Sequence, residues 1–295
     1  MTLLARQLIW RSGRKLYMWA RKDEPNEISS NGELRLQRLV NDIVRLDSKM
    51  TVFDVGARIG DWSKTLVKIA SGRPGGFELH AFEPVPDSRI KLKETLAKQI
   101  GSGEVRINAN ALSNESTTAT IYVPHYTGGT STLHPDPTVN YEQALDVETS
   151  TIDRYCAQNS ITYVDLIKID TEGNDLKVIE GAMELLTAGR IGVLQFEYNY
   201  RWIHARNYLK DVFDLLRNTP YRVAKVCSTA LEVYVEWHPE LERFFETNYA
   251  LVHERLTTPL KCAFYRIGFG NACESVDEAS KATAAAQSIR RGQVS

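Results

Sequence analysis

The sequence predicts an α/β protein with a mostly parallel, Rossmann-like sheet, helices on both faces and an antiparallel edge. Three observations predict it. Apolar, β-branched runs alternate with segments of helical spacing along most of the 295 residues. The run VFDVGARIG (52–60) ends in Asp54, then turns through Gly56 and Gly60 into Trp62, Leu66 and Ile69, which share one helical face. A second apolar run, LHAFEP, carries Glu83 at its tip.

Each element follows from local spacing. The first 22 residues hold Arg6, Arg11, Arg14, Lys15, Arg21 and Lys22 and no acid, interleaved with Leu8, Ile9, Trp10, Leu16 and Trp19. Arg6 and Arg11 interrupt the apolar core that a signal peptide needs. Two readings stay open: a basic amphipathic helix lying on an anionic leaflet, or a helix packed on the domain or on a second subunit. Residues 23–32 (DEPNEISSNG) read as a polar linker, completing an N-terminal unit of 1–32. Residues 33–46 form a helix through Leu36, Leu39, Val40 and Ile43. A strand at 51–55, a helix at 61–70, a strand at 77–82 and a helix at 87–99 after Pro84 and Pro86 come next. Strands at 104–112 and 117–123 precede YTGGTSTLHPDP, a loop too long for a plain connector.

The second half continues with a short strand at 146–152, a helical turn at 153–159 and a buried strand at 163–170, apolar but for Lys168 and the acids near its ends. A helix at 175–188, a strand at 191–197, a helix at 207–218 and strands at 221–226, 231–236 and 248–254 complete the domain, 33–267. The tail, 268–295, is rich in Ala, Ser, Gly and charge and reads as disordered.

Composition narrows the function. A net charge of −1 gives no electrostatic reason to expect nucleic acid as a partner. Cys156, Cys227, Cys262 and Cys273 are far apart and read as reduced thiols of a cytoplasmic protein. No apolar run approaches the roughly 20 residues that span a bilayer, so membrane contact is expected only peripherally, at the inner face, through residues 1–22.

The first βα turn points to the ligand. A dinucleotide wants G-x-G-x-x-G beneath its pyrophosphate. Here the pattern is D-x-G-x-x-x-G, with Ala57, Arg58 and Ile59 between the glycines. An acid at that turn repels a pyrophosphate but suits the ammonium of an amino-acid moiety, and Glu83 stands where a carboxylate grips both ribose hydroxyls. S-adenosylmethionine has the ammonium, a sulfonium cation and the ribose, and no phosphate. Four predicted strand ends carry acids: Asp54, Glu83, the pair Asp170 and Glu172, and Glu197. Together they form an anionic cup for a cationic cofactor, with Asp54 and Glu83 on the cofactor side. Asp170, Glu172 and Glu197 would act as a base on the substrate side, or with Asn199 as an all-oxygen site for Mg2+ or Ca2+ built on Asp170, Glu197 and Asn199. His204 is a further candidate base, and Tyr198, Tyr200 and Trp202 are candidates for stacking on a sugar.

The motifs VFDVGARIGDWS, HAFEPVPD, INANALS, GGTSTL, LIKIDTEGNDLKVIEGA and QFEYN occur in the order seen in the FkbM family of S-adenosylmethionine-dependent methyltransferases, which this chain resembles over roughly residues 51–200. The resemblance implies the class I methyltransferase fold and O-methylation, often of sugar or polyketide hydroxyls. Carried onto this chain, it implies cofactor contacts from Asp54, Gly56, Arg58, Gly60, Glu83, Pro84, Asn110, Ala111 and Asp170. Relatives usually have Asn at Arg58 and often His-Glu at Asn174-Asp175. The expectation is O-methylation of a sugar hydroxyl in a glycan or glycosylated metabolite, such as a lipid-linked surface polysaccharide, by a chain able to form a homo-oligomer. The alternatives are a methyltransferase for a non-sugar small molecule, protein or nucleic acid, and a non-catalytic binding module. The nucleic-acid reading lacks an N/D-P-P-Y/F motif and a basic patch beyond the N-terminus. The module reading does not explain the surplus strand-end acids.

Overall fold

The computed structural model describes residues 1–124 and 130–276. Helix α1 (Leu3–Ala20) and α2 (Glu33–Ile43) precede β1 (Met50–Val55), α3 (Asp61–Ala70), β2 (Phe77–Phe82), α4 (Pro86–Thr95), α5 (Ala97–Gly101) and β3 (Val105–Asn108). Then come β4 (Ala111–Leu112), β5 (Thr118–Val123), β6 (Gln143–Ser150), α6 (Ile152–Gln158) and β7 (Val164–Ile169). The rest is α7 (Asp175–Glu180), α8 (Met183–Thr187), β8 (Ile191–Tyr198), α9 (Leu209–Leu215), β9 (Tyr221–Val226), β10 (Leu231–Tyr234), β11 (Thr247–His253), β12 (Ala263–Ile267) and β13 (Cys273–Ser275).

One ten-stranded sheet has the order β13-β12-β10-β9-β11-β8-β7-β1-β2-β3. Strands β3, β2, β1, β7 and β8 are parallel. Beyond this core lies the expected antiparallel edge: β9 and β10 pair antiparallel, and β11 sits between β8 and β9, antiparallel to both. This mixed α/β sheet with a mostly parallel core is the class I methyltransferase arrangement. From β1 the chain runs outward through β2 and β3, then returns to β7 on the other side. The carboxyl ends of β1 and β7 therefore flank a crevice where ligands bind in such sheets.

Alternation along the buried strands supplies two cores. Phe53, Val55, Ile167, Ile169, Leu194 and Phe196 face α7, α8 and α9. Val52, Leu79, Leu166 and Val193 face Leu36 and Val40 of α2 and Trp62 and Leu66 of α3. On this second face the register sets Asp54 beside Lys168, and Lys168 beside Gln195. A polar row is thus buried among apolar neighbours.

Several elements depart from the expected bounds. The 104–112 strand divides: β3 stays in the large sheet, whereas β4 joins a small sheet of order β4-β6-β5. The 175–188 helix breaks at Gly181, where a Cβ would lie 2.1 Å from the Ser113 carbonyl oxygen. Strand β12 was not expected, and β13 pairs with it antiparallel inside the supposed disordered tail. Edge strands this short carry too little alternation to read. Residues 277–295 of that tail, and Gly128 and Gly129 of the GGTSTL motif, lie outside the described residues. The 23–32 segment is no free linker. Asp23 is buried against Lys225, and a Cβ on Gly32 would meet the Cys227 carbonyl at 2.6 Å.

Candidate active site

A cavity of about 620 Å³ opens at the carboxyl ends of β1, β2, β7 and β8. Its floor includes Val55, Gly56, Ala57, Arg58, Glu83 and Pro84. Gly56 has φ +79°, and a Cβ there would fall 2.0 Å from the Asp170 carbonyl oxygen, so the first turn and the β7 turn touch through bare backbone.

Glu83 joins two turns. Its Oε2 accepts the Arg58 backbone N–H and its Oε1 accepts that of Val85, both at 2.8 Å. Each oxygen keeps a second lone pair, which suits the two hydroxyls of a ribose. Burial pushes Glu83 up to about 7, against the pull of those two N–H groups and of Arg89. Arg89 Nη1 in turn donates to the carbonyls of Glu83 and Pro84 at 2.8 Å, fixing the turn from behind.

Asp54 behaves otherwise. Its carboxylate is fully buried and does not line the cavity. Ser63 donates to its Oδ2 at 2.6 Å, and Lys168 Nζ stands 3.8 Å from Oδ1. The expected direct grip of Asp54 on a cofactor ammonium is therefore corrected: register sends this side chain into the α2–α3 face. Burial raises its pKa, with Lys168 opposing. Lys168 is the counterpart. Desolvation alone would lower it, but Asp170, Asp54 and Glu33 together hold it above the ordinary lysine value.

The expected substrate side gathers three acids. One carboxylate oxygen from each of Asp170, Glu172 and Glu197 lies within 4.8 Å of the others. Asp170 is ion-paired with Lys168 at 3.1 Å. Glu172, in the left-handed region at φ +54°, pairs with Arg201 at 3.0 Å, and Thr132 Oγ1 donates to its carbonyl at 2.7 Å. Burial, then repulsion from Asp170, pushes Glu172 up to about 8; the same causes drive Glu197 well above the usual carboxylate range. Asp175, beneath them, rises to about 7 through burial while accepting the Thr171 and Gly173 N–H groups. Glu197 receives Asn26 Nδ2 on one oxygen and Asn199 Nδ2 on the other, both at 2.7 Å.

Other expected residues stand apart. Asn199 Oδ1 accepts the Arg201 N–H, and Glu172 joins Asp170 and Glu197 in the oxygen cluster. Ala111 lines the cavity; Asn110 is exposed and does not, because the chain turns there from one sheet to the other. Gly60, at φ +91°, caps α3 beside Leu92 and is not part of the lining. His204 pairs with Asp136 at 3.3 Å, outside the cavity. Tyr198 and Trp202 are core residues, 1% and 0% exposed, and offer no face for a sugar; Tyr200 is exposed and stacks under Arg201.

Three contributors were not foreseen. Asn26, Glu27 and Ile28 of the supposed linker form cavity wall. Glu33, at the start of α2, is buried in the same wall and receives Gln195 and Asn31, its pKa raised by burial. Ser131 and Leu133 close a third side, and His134 Nε2 lies 3.1 Å from Asn174 Oδ1, the position where relatives often carry His. The Gly- and Thr-rich composition of that loop was the one available signal.

Solved structures similar to this chain include the methyltransferase FkbM from Methylobacillus flagellatus KT, with 16% identity and a TM-score of 0.45 over 71% of this chain and 45% of that one. The present chain thus spans less than half the length of that relative. The N-terminal domain of human METTL16 gives 11% identity and a TM-score of 0.42, covering 75% of this chain and 68% of that one. The O-methyltransferase from Bacillus cereus in complex with SAH gives 13% and 0.39, covering 74% and 80%. No curated protein matches the chain. The model of the methyltransferase FkbM domain matches residues 54–223, more than half of the sequence, and the chain belongs to that family.

Proposed function

We propose that the protein is an S-adenosylmethionine-dependent O-methyltransferase acting on a hydroxyl of a sugar in a glycan or glycosylated metabolite. The observation that carries this reading is the division of one cavity into two chemistries. Glu83, Gly56, Ala57, Arg58 and Pro84 form a turn-lined half with spare carboxylate lone pairs, and Asp170, Glu172 and Glu197 form an acidic half beside it. The fit to the cofactor rests on those lone pairs and on the bare backbone at Gly56. A cavity of this volume lies within the usual range for ligands of that size.

When bound, the cofactor supplies an electrophilic methyl group on a sulfonium sulfur. Glu83 would hold the ribose, and the acidic half would favour the positive charge. Transfer of that methyl to the acceptor oxygen would free the hydroxyl proton, and an ionised carboxylate of the cluster would take it. Glu172, pushed up to about 8 by burial and by Asp170, would take it only in its ionised form, whose share grows as pH rises. Positioning is the remaining requirement, since the displacement is in line.

The close approach of the three acids favours a second form of the same reading. Like charges within 4.8 Å of one another resist ionising together, and within the cluster Lys168 and Arg201 pair only with Asp170 and Glu172, leaving Glu197 without a cation among the described residues. A divalent ion with oxygen ligands would satisfy the cluster and acidify the hydroxyl. Three measurements test the proposal. Calorimetry with S-adenosylmethionine should show binding; none at millimolar ligand would sink the cofactor assignment. Labelled methyl should enter carbohydrate, and label in tRNA, DNA or protein alone would overturn the acceptor. EDTA separates the two forms: turnover abolished and restored by Mg2+ or Ca2+ means a metal, while full activity leaves the carboxylates as base.

A further inference from the structure

We infer that α1 is a docking helix for an anionic membrane surface, with one uncharged stripe laid on the lipid. None of its 18 residues is buried, although it is hydrogen-bonded to the domain at one end. Its contacts define the inward face. Arg14 lies over Phe245, the Tyr17 hydroxyl donates to Glu240 Oε2 at 3.0 Å, and Arg21 donates to the Glu240 carbonyl at 3.0 Å. Positions 14, 17 and 21 fall on one side of a helix.

The opposite side carries Ala5, Leu8, Ile9, Ser12, Leu16 and Trp19 and no charge. Leu8 is 57% exposed, Ile9 63%, Leu16 65% and Trp19 77%. An exposed apolar stripe of this length is unusual on the outer face of a surface helix. Arg6, Arg11 and Lys15 are exposed on its flanks.

Charge decides the occupant. Residues 1–22 hold six cations and no acid, so with 36 cations and 37 acids in the chain, residues 23–295 hold 30 and 37. Arg6, Arg11 and Lys15 flank the apolar stripe, whereas Arg14 and Arg21 face the domain and Lys22 pairs with Glu232; the body of the protein is acidic. That is the pattern of an interfacial helix drawn to anionic lipid, with an indole at the headgroup level. Among the described residues no helix is long and apolar enough to cross a membrane, so α1 lies on the surface. This inference does not depend on the proposed reaction.

The test uses the full chain with vesicles of phosphatidylcholine alone and of phosphatidylcholine mixed with phosphatidylglycerol, read by co-sedimentation and Trp fluorescence. Binding should require the anionic lipid and weaken with salt. Replacing Arg6, Arg11 and Lys15 together by Gln should reduce partitioning on the order of a hundredfold, about fivefold per cation. Leu8→Glu with Leu16→Glu should abolish it. Neither variant touches the cavity or the contacts of α1 with the domain, so melting temperature should hold. Failure to bind anionic vesicles overturns the inference. So does a stable dimer, seen by light scattering, that Leu8→Glu with Leu16→Glu dissociates, because a second copy would then cover the stripe.

Discussion

If Glu83 holds the ribose, its carboxyl should make cofactor affinity depend on pH in a way that one substitution removes. In the free protein, burial holds it near 7, so both ionised and neutral forms are present close to neutrality. Only the ionised form offers two acceptors to a ribose diol while keeping the Arg58 and Val85 N–H groups. Apparent Kd should therefore scale as one plus the ratio of neutral to ionised carboxyl. Relative to its high-pH plateau it rises about twofold at about pH 7 and about elevenfold at about pH 6, where tenfold is about 1.4 kcal/mol. Glu83→Gln cannot ionise and presents one acceptor oxygen, so it exchanges charge-assisted bonds for weaker neutral ones. It should bind at least about tenfold more weakly at about pH 8, with the gap to the parent closing towards about pH 6. Glu172 and Asp175 also titrate in this range, but equally in both proteins. The assay is calorimetry with S-adenosylhomocysteine across that range, in two buffers of different ionisation enthalpy so that proton release is counted. A parent protein with constant affinity, or a Gln variant following the parent's slope, would refute the reasoning.

Three further outcomes are expected. Gly56→Ala must adopt φ +79° and place a methyl 2.0 Å from the Asp170 carbonyl, so thermal melting should show a loss of at least about 2 kcal/mol. Lys168→Met leaves Asp54 and Asp170 without their cation and should cost about 3–5 kcal/mol in urea unfolding, with Asp54→Asn in the same chain restoring part of it; no restoration would mean the two do not interact. The acids Glu172, Asp175 and Glu197 hold protons in the folded protein that the unfolded chain has already released, so stability of the free protein should fall as pH rises from about 5 to about 8. Glu197→Gln should flatten that fall, measured by melting temperature.

Much of the fold was readable because buried parallel strands and amphipathic helices leave strong periodic signals, as in VFDV and LIKI. The acids at strand tips could be placed for the same reason, since a strand's end fixes which edge of the sheet its last residue occupies. What could not be read was register and long-range return. Nothing local distinguishes Asp54, which points into the α2–α3 face, from Glu83, which points into the cavity. Pairing of Asp54 with Lys168 arises only once β1 and β7 align. Residues 23–32 looked like a linker because they are polar, yet their polar groups have partners: Asn26 on Glu197, Asn31 on Glu33 and Asp23 on Lys225. Composition reports solvation, and cannot tell water from a buried acid as the other half of a hydrogen bond.

That segment also redraws the portable unit. The family match begins at Asp54, whereas Asn26, Glu27, Ile28 and Glu33 supply part of the cavity wall. A chimera that exchanged only the matched span between two family members would join new β2, β3, β7 and β8 to the host's β10 to β13 and would leave the host's mouth in place. The acceptor would then meet a rim inherited from another protein. Selectivity among such enzymes can accordingly diverge through a stretch that lies outside the shared motif, under little constraint from the cofactor. Swapping residues 23–33 along with, or apart from, the rest is the way to separate the two inheritances.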